Sequence, residues 1–167
     1  KNARGCLTQK KNMFEIVAAH GIPYAATASI GYVTDFMRKV ERAASLHGTR
    51  YIHVIAPCPT GWGCGVDETI DVAKEIVDCG LWYLAEYEGP QTLAAQAAAA
   101  QGEQAAEGVP DIPSTDVSGG RFKLNRNPRT FSSVEAYLRR QGRFKQLAAE
   151  DIALIEASRD AKWEAMR

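Results

Sequence analysis

The stretch Arg50–Ala56, Arg-Tyr-Ile-His-Val-Ile-Ala, narrows the possible folds more than any other part of the chain. It is β-branched and aromatic, with apolar side chains at both odd and even positions. A strand of this kind must bury both faces, which predicts a central strand of a sheet covered on both sides. Helix-period segments surround it. Met13, Ile16, Val17 and His20 are spaced as one face of a helix over Asn12–His20, with Gly21 as its stop. Tyr24–Ala28 reads as a short buried strand. Val33, Phe36, Met37, Val40, Ala43 and Ala44 form the apolar stripe of the clearest helix, which Gly48 follows. Asp67 is placed to cap a helix with Ile70, Ala73, Ile76 and Val77 facing inward, ended by Gly80, and Leu81–Glu88 reads as a further strand. Helices alternating with strands through short connections predict an α/β domain built on a parallel sheet.

Beyond residue 88 the pattern changes. Residues 89–120 are rich in Ala, Gln, Gly, Pro and Ser. Alanine favours helix over 94–100, but no apolar stripe is present to pack it, so the segment reads as an exposed insertion or loop. Phe122–Leu124 resembles a short strand. Ser132 and Glu135 have capping-box spacing for a helix running to about Arg140. A last helix, roughly Ala149–Met166, turns Ile152, Ile155 and Trp163 inward. The expected division is therefore 1–88 as the α/β part, 89–120 as insertion, and 121–167 as a helical extension of the same domain.

Composition removes several classes of function. With 46% hydrophobic residues among 167, the chain can build a core without disulfides. Lys plus Arg equals Asp plus Glu at 20 each, which argues against a nucleic-acid binder and against electrostatic attachment to lipid. No run approaches the ~18 apolar residues of a spanning helix, and the polar start carries no secretory signal. A cytoplasmic protein is expected. The sequence starts at Lys1 without an initiator methionine and reads as the carboxyl-terminal portion of a longer chain.

Chemistry concentrates in Pro57–Val66, Pro-Cys-Pro-Thr-Gly-Trp-Gly-Cys-Gly-Val, predicted to be irregular because of its prolines and glycines. It leaves the carboxyl end of the Arg50–Ala56 strand, the edge where open α/β sheets gather ligands. Pro57 and Pro59 stiffen the backbone around Cys58, the glycines permit close approach, and Trp62 offers an apolar wall. Such a thiolate suits an iron–sulfur ligand; a structural loop around a reduced thiol is the alternative. The spacing of Cys6, Cys58, Cys64 and Cys79 fits no four-cysteine cluster pattern. Cys6, Cys64 and Cys79 read as reduced thiols. Thr27 and Ser29 follow a strand and are weighed as cofactor-facing residues, Ser29 alternatively as a helix cap. His20, His47 and His53 read as structural or exposed. Lys123, Arg126 and Arg129 read as a solvated face, with a neighbouring subunit or acidic carrier as the alternative.

Three segments carry a family resemblance. Ile-Val-Ala-Ala-His-Gly-Ile-Pro-Tyr with the Ala-Ala-Thr-Ala-Ser that follows (16–29), Tyr-Ile-His-Val-Ile-Ala-Pro-Cys-Pro-Thr-Gly-Trp (51–62), and Val-Glu-Ala-Tyr-Leu-Arg-Arg-Gln-Gly-Arg-Phe (134–144) resemble the β subunit of 2-oxoacid:ferredoxin oxidoreductases. The resemblance covers roughly residues 12–88 and 121–167 and departs at 89–120. It implies the carboxyl-terminal portion of a thiamine-diphosphate-binding α/β fold with a helical tail. It further implies oxidative decarboxylation of a 2-oxoacid, usually to an acyl-CoA, with electrons passing through [4Fe–4S] clusters to ferredoxin or a similar carrier. Cys58 matches the family's fourth cluster ligand. The cofactors implied are thiamine diphosphate, Mg2+ and a [4Fe–4S] cluster, with coenzyme A as co-substrate. The diphosphate motif and three further cluster cysteines are expected upstream of residue 1, in the remaining amino-terminal half. Other subunits of the complex are the expected partners. A non-catalytic α/β interaction module is the competing reading.

Overall fold

The computed structural model describes residues 11–100 and 119–167. The element order is α1 (Met13–Ala18), β1 (Tyr24–Ser29), α2 (Val33–Ala44), β2 (Arg50–Ile55), α3 (Pro59–Trp62), α4 (Thr69–Asp78), β3 (Ala85–Glu88), α5 (Pro90–Ala100), β4 (Arg121–Leu124), α6 (Val134–Arg139), a 3₁₀ turn (Gly142–Phe144) and α7 (Ala149–Met166). The α/β class expected from the alternation is present.

The sheet runs β2-β1-β3-β4. Only β1 and β2 pair in parallel, from Tyr24 opposite Arg50 to Ser29 opposite Ile55. β3 is antiparallel to both β1 and β4, so the all-parallel expectation fails at these two pairings. The chain between β2 and β3 explains why. Ser29 Oγ donates to the Ala73 carbonyl (2.5 Å), Trp82 Nε1 to Ala28 O (3.0 Å) and Thr27 Oγ1 to Tyr83 O (2.6 Å). The excursion therefore returns to the carboxyl end of β1, and β3 must run back from that end. The same return leaves only Ala85–Glu88 as strand, not the whole of Leu81–Glu88.

Strand position also differs from expectation. β1, Tyr-Ala-Ala-Thr-Ala-Ser, is buried at every residue, because it has a strand on each side and small side chains that let its neighbours approach. β2 lies at an edge and is at best half-buried. Gly31, just past β1, marks the tightest approach: a Cβ there would fall 2.5 Å from the Lys74 amide nitrogen.

α2 covers its predicted residues but packs by a different face. Of the stripe, Ala43 is buried and Phe36 half-buried, while Val33, Met37 and Val40 are 58%, 51% and 38% exposed. Lys39 is buried instead, donating to Thr27 O (2.7 Å) and pairing with Asp35. Arg38 and Arg42 reach Glu86 (3.1 Å) and Glu88 (2.7 Å) on β3, and Tyr24 donates to Glu86 (2.6 Å). Desolvation lowers the Lys39 pKa, and its pairing with Asp35 opposes that. This polar layer seats the helix, because a buried ammonium needs the carbonyl and carboxylate found only on that side.

Other boundaries shift in ways with local causes. α4 starts at Thr69 rather than after an Asp67 cap; the Glu68 carboxylate accepts from Gly65 N (2.8 Å). Its buried face is Val72, Ala73, Ile76 and Val77, and Ile70 is 53% exposed. Ser133, not Ser132, caps α6 by accepting from Ala136 N (3.1 Å), and the helix ends at Arg139. The alanine run is helical as part of α5, whose propensity prevails over the missing stripe, and residues 94–97 are exposed. The rest of the expected insertion, 101–118, lies outside the described residues. β4 is present where Phe122–Leu124 was read as strand. α7 buries Ile152 and Trp163 and half-buries Ile155; Trp163 Nε1 donates to Gly80 O (2.8 Å), tying the tail to the end of α4.

Candidate functional site

At the carboxyl end of β2 the chain does not form the wholly irregular loop its prolines and glycines suggested. Pro59–Trp62 is one turn of helix. Proline fits the first turn, where its missing N–H has no intrahelical partner, and Gly63 (φ 68°) closes the turn in the left-handed conformation. Cys58 is the N-cap. Its thiol is exposed, and the Gly61 amide points at Sγ from 3.4 Å.

The other cysteines are placed differently. Cys64 is half-buried and packs against the main core. Cys79 is fully buried at the end of α4, its Sγ 3.5 Å from Ile76 O, and burial pushes its thiol up to about 11. Cys6 lies outside the described residues. Among the described residues no three His, Cys, Asp or Glu side chains converge to hold a metal ion. Of the described cysteines Cys58 alone has an exposed thiol, placed to serve as one ligand of a larger group.

The turn is held from below by the tail. Gly142 N donates to Gly63 O (2.9 Å), and a Cβ on Gly63 would come within 3.0 Å of Gly142 Cα. The Arg143 guanidinium lies 3.9 Å above the Trp62 ring centroid and 4.5 Å from that of Phe144. Next to it, Arg140 bridges Glu68 (2.9 Å) and Glu75. Glu68 is held below the usual carboxylate range, first by the Gly65 amide and then by Arg140. Sequence reasoning did not connect Gly142 and Arg143 to the cysteine turn, about eighty residues away, since nothing local marks either as its partner.

Thr27 and Ser29, weighed as cofactor-facing, are turned to internal partners. Both are buried and committed internally: Thr27 Oγ1 also accepts from Ala85 N (2.9 Å), and Ser29 Oγ accepts from Gly31 N (3.2 Å). Nor does Ser29 cap α2, whose N-cap is Tyr32. His53 is half-buried, edge-on to Trp82 at 4.8 Å between centroids, and burial lowers its pKa. His20 and His47 are exposed, as are Lys123, Arg126 and Arg129. Arg126 pairs with Asp78 (2.7 Å), and Asp78 also accepts from Tyr32, whose hydroxyl burial pushes up to about 12. No helix among the described residues is long and apolar enough to cross a membrane.

No family model matches the chain. The pyruvate synthase subunit PorB of Methanocaldococcus jannaschii is 36% identical over 159 residues, covering 95% of this chain and 43% of that protein. PorB of Methanosarcina barkeri is 38% identical over 156 residues, 90% of this chain and 43% of the relative. The ketoisovalerate oxidoreductase subunit VorB of Pyrococcus abyssi is 34% identical over 160 residues, 95% and 42%. The chain spans less than half the length of these relatives and matches their carboxyl-terminal part.

Proposed function

We propose that this chain, a relative of the carboxyl-terminal part of the PorB and VorB subunits, belongs to a multi-subunit 2-oxoacid oxidoreductase and gives one thiolate, Cys58, to a [4Fe–4S] cluster. The net reaction is 2-oxoacid plus coenzyme A going to acyl-CoA, carbon dioxide, two electrons and a proton. Thiamine diphosphate with Mg2+ supplies the bond-breaking chemistry in such a system, and the clusters pass the electrons singly to ferredoxin or a similar carrier. Thr27 and Ser29 are engaged internally and are not proposed to hold the diphosphate. We assign that site to other segments of the subunit.

The chain's own part is to present Cys58. Its exposure at the carboxyl edge of β2, on a turn fixed by prolines and capped by the thiol itself, is the observation that carries the reading. The Gly61 amide would donate to the thiolate and stabilise its charge, and Trp62 would shield one side from water. We further propose that 1–88 and 121–167 act as one α/β unit with 89–120 as an appendage. A cytoplasmic setting suits thiols kept reduced.

The test is electron paramagnetic resonance and iron counting on the anaerobically purified, intact complex. Cys58→Ser is expected to lose or alter one cluster signal, because serine oxygen is a poorer iron ligand than thiolate. Carrier reduction should fall severely while 2-oxoacid binding persists. Cys64→Ser should keep every signal. Unchanged clusters in Cys58→Ser would remove the cluster role from this segment, and an iron-free wild-type complex would favour a non-catalytic interaction module.

A further inference from the structure

Among the described residues, Arg143 is the one charged side chain stacked on the cysteine turn. Its guanidinium covers Trp62 at 3.9 Å, within the one-turn helix that Cys58 caps, and its other flank meets Phe144 at 4.5 Å. Nε donates to Gln141 Oε1 (3.1 Å), and Gln141 is itself fully buried, with Nε2 donating to Tyr137 O (3.2 Å). The cation is thus oriented by a rigid neighbour. Among the described residues it forms no ion pair, whereas its neighbour Arg140 pairs with Glu68 and Glu75. One residue earlier, Gly142 is in backbone contact with Gly63 at the end of the same turn. The tail therefore grips the turn by its backbone and lays an uncompensated positive charge on its aromatic side chain.

We propose that Arg143 is a positioning residue for the cysteine turn, and that its charge sets the reduction potential of the cluster held there. The inference rests on the reading of Cys58 as a cluster ligand. Reduction adds an electron to the cluster. A fixed cation favours the more negative, reduced form and so raises the potential; removing it makes the cluster harder to reduce. A planar guanidinium stacked between two rings is suited to this task, because the stacking holds the charge in place.

The experiment is a redox titration of the intact, iron-loaded complex, followed by the paramagnetic signal of each cluster. Wild type is compared with Arg143→Gln, Arg143→Lys and Cys58→Ser. In the expected result, Cys58→Ser identifies the signal of this cluster, and Arg143→Gln shifts the midpoint of that same signal to more negative potential. Arg143→Lys, which keeps the charge but not the stacking, shifts it less than Arg143→Gln. The Gln shift shrinks at high ionic strength, because Arg143 is exposed at its edge. If Cys58→Ser removes a signal but Arg143→Gln leaves its midpoint in place, the role of Arg143 is overturned and the cluster reading stands. If Cys58→Ser changes no signal, both readings fall. Should Arg143→Gln lose the cluster outright, Arg143→Lys decides: a retained signal supports the proposal, and loss of the signal in Lys as well overturns the electrostatic role.

Discussion

Two cysteines at helix ends, Cys58 and Cys79, occupy regions built on opposite principles. Cys58 begins a one-turn helix at the carboxyl edge of β2, its thiol open to solvent. Cys79 ends α4 inside the main core, with Gly80 turning the chain at φ 78° beneath Phe131 and Arg159. The first region is held by backbone: proline restriction, a left-handed glycine and a hydrogen bond from the tail. The second is held by packed side chains. A site formed by backbone can change its side chain without losing its shape, whereas a site formed by packing cannot.

The sharpest way to break this contrast is thiol alkylation of the iron-free, intact protein. Cys58 should react readily at neutral pH, and Cys79 only after unfolding, since its thiol is both buried and held neutral to about pH 11. Comparable rates in the folded state would refute the contrast. Loading with iron should protect Cys58 and leave Cys64 unaffected.

The next effect in size is steric. Gly80→Ala would bring a Cβ within 2.8 Å of the Phe131 ring, in a left-handed conformation. The expected loss is about 2–4 kcal/mol from strain and overpacking together, read by urea unfolding. Gly63→Ala carries the same backbone strain, with its closest approach to Gly142 Cα at 3.0 Å, so about 1–2 kcal/mol is expected. Equal losses at the two glycines would mean that the turn is as tightly packed as the core.

Substituting the thiols themselves comes third. Cys79→Ser puts a hydroxyl among Val72, Ile76, Leu84 and Tyr137 and should cost about 1–3 kcal/mol. In the iron-free protein, Cys58→Ser should stay within about 0.5 kcal/mol, as for other exposed positions. A large loss at Cys58 without iron would show that the thiol, not the backbone, shapes the turn.

The last effect is a pH dependence. The Cys79 thiol ionises near 9 when the chain is unfolded and near 11 when folded, so across that interval only the unfolded state releases the proton. Stability should fall as pH rises from about 9 to about 11, with no contribution from this group below 9. Cys79→Ala should remove that part of the slope in equilibrium unfolding followed against pH.

Local structure was legible where neighbouring residues alone decide it. The span of α2, the strands at Tyr24 and Arg50, β4 and α7 all follow from periodicity and stop signals. Cys58 stood out because Pro-Cys-Pro-Thr-Gly-Trp leaves few backbone conformations open. Even the one-turn helix was written there, as proline inside its start and Gly63 past its end, but the abundance of glycine obscured it. The grip of Gly142 and Arg143 on the turn could not be read: it joins positions about eighty residues apart, and nothing local marks either as the other's partner.

What the chain order determined by itself is therefore the set of elements and the stiff, thiol-bearing turn. Tertiary structure decided their rank and orientation. β2, the more hydrophobic in appearance, became the edge, and the alanine-rich β1 became the fully buried centre, because burial follows the number of neighbouring strands and only small side chains permit close packing over both faces. α2 turned its lysine inward and its valines and methionine outward, because Thr27 O, Glu86 and Glu88 on the sheet offered partners to its charges, with Asp35 of the helix itself completing the Lys39 pair. Periodicity records which residues share a face. Which face is buried depends on the polar groups waiting beneath it, and those are assembled only when the sheet forms.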